Sequence, residues 1–116
     1  MQRLSILQEA NMIDEQTHQL MNKVISYLQQ TQELKESKME VFITHLAMAV
    51  MRLKKGEVVD DMEPAILAEI EKSDDYPTAR QIVAEIESWS SFTYAASEIS
   101  YILLHLVDLL NKKGEK

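Results

Sequence analysis

The chain has 116 residues and 46% hydrophobic content, enough for one domain with a single apolar core and no covalent staples. It contains no cysteine, which excludes a disulfide framework, a thiolate metal site and a cysteine nucleophile. A formal charge of −7 argues against direct nucleic-acid binding, because affinity for phosphate backbones rests on clustered Lys and Arg. No apolar run reaches the length of a membrane span, and "MQRLSILQEANMIDEQ" turns polar too early for a secretory leader. The expected location is the cytoplasm.

Helical periodicity runs through almost the whole chain. A short segment, Leu4 to Asn11, precedes a helix that Asp14 caps and whose apolar face is Leu20, Met21, Val24, Ile25 and Leu28. After the polar run "TQELKESK", Ser37 is the expected cap of a helix burying Val41, Phe42, Leu46, Ala49, Val50 and Leu53. "KKG" ends that helix, with basic side chains against the dipole and Gly56 at the cap. Beyond "EVVDD", Pro64 opens a short helix presenting Ile66, Leu67 and Ile70.

"KSDDYP" then breaks the chain, and Asp75 or Thr78 starts a helix with Ala79, Ile82, Val83, Ile86 and Trp89 inward. Trp89 is expected in the core or in a dimer seam. The linker "SSFTYAAS" leads to a last helix, capped by Ser97, that buries Ile99, Ile102, Leu103, Leu106, Val107 and Leu110; a polar tail covers 111–116. No period-two strand of useful length occurs. The predicted fold is all-α, a compact antiparallel bundle of five to six helices with short loops.

Familiar catalytic signatures are missing: there is no glycine-rich phosphate loop, no G-x-S-x-G elbow and no H-E-x-x-H pair. "DDMEPAILAEIEKSDD" reads as a solvated acidic surface. Two histidines stand out, His45 in "FITHLAMAVMRL" and His105 in "SEISYILLHLVDLL", each set among apolar residues. A hydrogen-bonded core histidine is the ordinary explanation of such a residue. Yet His45 precedes Arg52 by two helical turns, and Glu98 precedes His105 by the same interval, so each pair shares one helix face. Neutral imidazole is a nucleophile, and a guanidinium fork binds phosphate oxygens. Spacing within one helix leaves open whether the two faces meet. His18 falls outside these patterns and is expected at the surface.

"HLAMAVMRLKKGEVVDDMEPAILAEIEK", "YPTARQIVAEIE" and "SEISYILLHLVDLL", in that order and spacing, resemble the PTS regulation domain, or PRD, family. The resemblance covers residues 39–110; the helix over 14–30 fits the family's N-terminal helix, and 1–116 reads as a single stand-alone PRD-like domain. It implies an all-helical regulatory module with no cofactor, no metal, no catalytic turnover and no membrane contact. Family modules take phosphate on histidine from the sugar phosphotransferase system, from the phosphocarrier HPr or a permease IIB domain, and the modification shifts a dimer between arrangements. Carried onto this chain, His45 and His105 become phosphoacceptors, with Arg52 and Glu98 as supporting residues, in a homodimer or with a partner in trans.

Three departures accompany the match. Thr44 stands where the family usually has an acid before the first histidine, "TYAAS" replaces a leucine-proline-acid-acid turn, and one module is present where family members usually carry a pair behind a nucleic-acid-binding domain. The alternative is a helical adaptor that keeps the fold and has lost phosphate sensing.

Overall fold

The computed structural model describes residues 1–113, and the apolar spacing is realised there as α1 (Gln2–Glu9), α2 (Glu15–Gln32), α3 (Glu36–Lys54), α4 (Pro64–Glu71), α5 (Tyr76–Ser88) and α6 (Ala96–Lys113). The all-α bundle expected from the sequence is therefore present, with six helices and no strand among the described residues. No helix among these residues is long and apolar enough to cross a membrane.

Local chemistry accounts for several boundaries. Asp14 accepts the Thr17 N–H at 2.8 Å and so caps α2, satisfying one of the donors a helix start leaves unpaired. The end of α3 is a Schellman motif: Gly56, at φ +76°, donates to the Leu53 carbonyl and Glu57 donates to the Arg52 carbonyl. Only a residue without Cβ takes that left-handed conformation freely. Pro64 sits at the first turn of α4, where its missing N–H costs nothing.

At other boundaries the sequence expectations need correction. Ser37 does not cap α3; the helix starts at Glu36 from Lys35, without a side-chain cap. Leu34 and Met39 occupy the positions of a hydrophobic staple and both are buried, while the terminal amine of Met1 pairs with Glu36 at 3.3 Å. Ser97 does not cap α6 either. That helix begins at Ala96, and the Ala95 carbonyl already accepts from Ile99. Asp75 does precede α5, but its backbone is helical and its side chain makes no cap bond. α6 continues to Lys113, so 111–113 are helix and not tail; the rest of the expected tail lies outside the described residues.

The core faces also shift slightly. On α3 the buried stripe is Met39, Phe42, Ile43, Leu46, Ala47, Ala49 and Val50, and Val41 is 62% exposed. Ile66 is likewise exposed on α4, where Ile70 carries the burial. Trp89 is half-buried just past the end of α5, edge-on to Tyr27 at 5.2 Å, with the Lys23 ammonium 4.9 Å from its ring. His18 is half-buried rather than at the surface, and its Nδ1 meets the Gln8 side chain.

The helices pack in two groups. α1, α2 and α3 contact one another, and α4 and α5 both pack on α6. The main contact joining the groups is α3 against α6, whose facing sides supply Phe42, Leu46, Ile102 and Leu106 to one continuous core. The Cα radius of gyration is 13.8 Å, near the roughly 13 Å of a close-packed chain of this length.

Asp14 tests the link from cap to stability. Partial burial pulls its carboxyl upward, but hydrogen bonds from Lys54 and Thr17 outweigh this and lower its pKa to about 2. A depressed carboxylate stabilises the fold fully above its ordinary value of 3.8 and loses that contribution as pH falls toward about 2. Asp14→Ala should cost about 1 kcal/mol at neutral pH in urea titrations followed by circular dichroism. The deficit should shrink across that acid window.

Candidate functional site

Antiparallel packing of α3 on α6 brings the two sequence pairs together. His45 faces His105, their ring centroids 4.3 Å apart and their planes within 9° of parallel. Two turns away Arg52 faces Glu98: its Nε donates to one carboxylate oxygen and its Nη2 to the other, each at 3.1 Å. Equal intervals on the two helices, run in opposite directions, let both pairs align at once. Each residue thus meets its counterpart across the seam.

The Arg52–Glu98 pair is a clamp with one dry end. Glu98 is 1% exposed, whereas the Arg52 side chain is 38% exposed. A buried carboxylate requires a partner able to satisfy both oxygens, and the planar guanidinium fork does so in one contact. The expectation that Arg52 supports the first histidine and Glu98 the second is therefore only half of the geometry. In this state their direct partners are each other.

The stacked rings impose an electrostatic condition. Two imidazolium ions 4.3 Å apart would repel by about 4 kcal/mol at an effective dielectric of 20. Stacking contributes about 0.5–1.5 kcal/mol, too little to offset that. His105 is half-buried, and burial followed by the neighbouring His45 lowers its pKa below 6.5, while Asp108 pulls the other way. The neutral form thus dominates at neutral pH, leaving a ring nitrogen with its lone pair.

A cleft of about 560 Å³ opens over these groups. Phe42, Leu46 and Ile102 form its apolar wall; His45, His105, Arg52, Glu98 and Tyr101 add polar atoms, and Val58, Val59 and Asp60 after α3 form the rim. Tyr101 and Asp60 were not singled out from the sequence. Tyr101 lies three residues after Glu98 and four before His105, the same helical face, so its spacing held the signal. By the same register Ala49 falls opposite Tyr101, a small residue leaving room for a large one. Among the described residues no group of three or more His, Asp or Glu is arranged to hold a metal ion.

The family model of the PRD domain matches residues 18–109, which include all four residues of the two seam pairs. The chain belongs to the PRD family. It is also 27% identical to YhfY, an uncharacterised protein of Escherichia coli K12, over 98% of this chain and 97% of that one. No solved structure matches it significantly. PRD domains are regulatory modules of sugar phosphotransferase control rather than catalysts, and in this PRD the two histidines stand at the joint between its helix groups.

Arg52→Met should be costly, since it strands a buried carboxylate; a loss of about 3 kcal/mol in urea titration is expected. Combining it with Glu98→Leu should restore most of that loss, because the pair is then replaced by apolar packing. The histidine stack makes a separate prediction about pH. A depressed histidine favours the fold fully above its ordinary 6.5 and loses that contribution as pH falls through its folded value. Stability measured from pH 7.5 to 5 should therefore decline on the acid side, and His105→Asn should flatten the decline.

Proposed function

We propose that this PRD accepts phosphate on His45 and His105 and transmits the change through the α3–α6 seam. The observation carrying the proposal is the parallel stack of the two rings in the lining of a cleft. The expected donors are the phosphorylated phosphocarrier HPr or a phosphorylated permease IIB domain. An attacking ring nitrogen forms the new N–P bond as the bond from phosphorus to the donor side chain breaks. The released electron pair stays on the donor side chain, an imidazole in HPr, and the acceptor ring sheds the proton of its other nitrogen. Chemistry of this kind needs a neutral acceptor ring, which the lowered pKa of His105 favours.

The response follows from charge. A phosphoryl group replaces a neutral ring by up to two negative charges. Glu98 and Asp60 line the same cleft, and Arg52 is already committed to Glu98. Repulsion therefore strains the ring end of the seam, while the clamp, about 10 Å along the helices, keeps the other end closed. The resulting tilt of α3 against α6 changes the surface offered to a second copy of the chain or to a partner in trans.

One observation favours the adaptor alternative. The Thr44 hydroxyl donates back to the Glu40 carbonyl at 2.8 Å, so it does not orient the His45 ring as an acid there would. Incubation with phosphorylated HPr, or with a phosphorylated IIB domain, separates the two readings. Acid-labile phosphohistidine should appear on the wild-type chain and vanish in a His45→Ala, His105→Ala double variant. Absence of label from both donors would leave the adaptor.

A further inference from the structure

We infer that Lys38 holds a phosphoryl group carried by His105, in a small pocket at the end of the seam away from the Arg52–Glu98 clamp. This deepens the phosphoacceptor reading, rests on it, and names a positioning residue for it. His105 borders two openings: the cleft of about 560 Å³, which His45 also lines, and a second of about 90 Å³. Val41, Phe42 and Leu109 give the second opening its apolar wall, and Lys38 and Asp108 give it charge. A single water needs about 10–15 Å³ of cavity, so three phosphoryl oxygens fit there.

Spacing explains how the lysine arrives. Lys38 precedes His45 by seven residues and Arg52 follows it by seven, so one face of α3 carries a cation two turns to either side of its histidine. The two cations are not equivalent. Arg52 donates from Nε and Nη2 to the buried Glu98, whereas Lys38 is exposed and makes no ion pair among the described residues. An ammonium on a flexible four-carbon stem can follow a dianion without a fixed geometry to satisfy. The two openings also differ in the charge they turn toward His105. In the cleft Arg52 and Glu98 cancel, His45 is neutral at neutral pH, and Asp60 leaves an excess of negative charge. In the pocket Asp108 opposes Lys38, but its position is exposed, where water and salt screen it. Of the two openings, only the pocket offers a cation not already held by a buried carboxylate.

Phosphorus NMR tests the contact. His18→Gln and His45→Asn leave His105 as the single histidine, and His45 is exposed, so its exchange spares the core. Phosphoramidate then loads the ring: a ring nitrogen forms the N–P bond, the reagent's P–N bond breaks, ammonia departs and the ring's other nitrogen releases its proton. The phosphorus shift, followed from about pH 9 to 6, reports the second ionisation of the phosphoryl group, which a nearby cation lowers and a nearby anion raises. In chains of unchanged helical circular dichroism, Lys38→Met should raise that midpoint by about half a pH unit, the effect of one charge about 6 Å away in water. Lys38→Arg should keep the parent value, and Asp108→Asn should lower it. An unchanged midpoint in Lys38→Met would overturn the inference and leave the phosphoacceptor reading intact; a fall in Asp60→Asn would then put the group in the cleft. No uptake at His105 would overturn the inference as well. No uptake by the wild-type chain, from phosphoramidate or from phosphorylated HPr, would overturn both.

Discussion

A fully buried carboxylate, Glu98, is the constraint around which this fold is arranged. A charge at 1% exposure has few tolerable solutions, and the one taken is a two-point contact with Arg52 from the facing helix. That contact has direction as well as strength. A slip of one turn between α3 and α6 would take Glu98 away from the guanidinium fork that satisfies both oxygens. The clamp therefore selects the register, and the register stacks His45 on His105. Apolar packing supplies most of the attraction between these helices, but greasy surfaces tolerate several alignments where a bidentate pair tolerates one.

Much of the fold was legible because it depends on short-range rules. Asp14 announced the start of α2 and Gly56 the end of α3, each through backbone bonds made within a few residues. Ser37 and Ser97 misled for the complementary reason. The start of α3 is held instead by the buried Leu34–Met39 staple and by the Met1 amine, distant in sequence, while α6 begins one residue before the expected cap, at Ala96. Val41 shows the same limit, being apolar and yet turned outward because the stripe through Met39, Phe42, Ile43 and Leu46 faces the core.

The site divides along the same line. Intervals of seven residues place His45 with Arg52 and Glu98 with His105, and any reader of helical periodicity can recover them. That His45 would meet His105, and Arg52 meet Glu98, is a property of two helices together and has no trace in either one alone. The proposal that the histidines accept phosphate came from likeness to a family, and Tyr101 carries no signal of its own because an aromatic at core spacing looks like core.

Where the pair sits in the chain's architecture determines how far a local change can travel. α1 and α2 pack with α3, α4 and α5 pack on α6, and the α3–α6 seam carries the principal contact between those groups. A charge placed on an isolated surface helix is absorbed by water and moves little. Placed on this seam, where His45 is exposed and His105 is half-buried beside the apolar packing of α3 on α6, it would act on the joint through which one half of the molecule is held against the other. Close-packed helices repack in discrete steps rather than yielding smoothly, so on the proposed reading strain at the ring end would be carried along α3 and α6 to surfaces remote from either histidine. On the proposed reading, the clamp would restrict that motion to a tilt about its own position, turning a repulsion between charges into a defined change of shape.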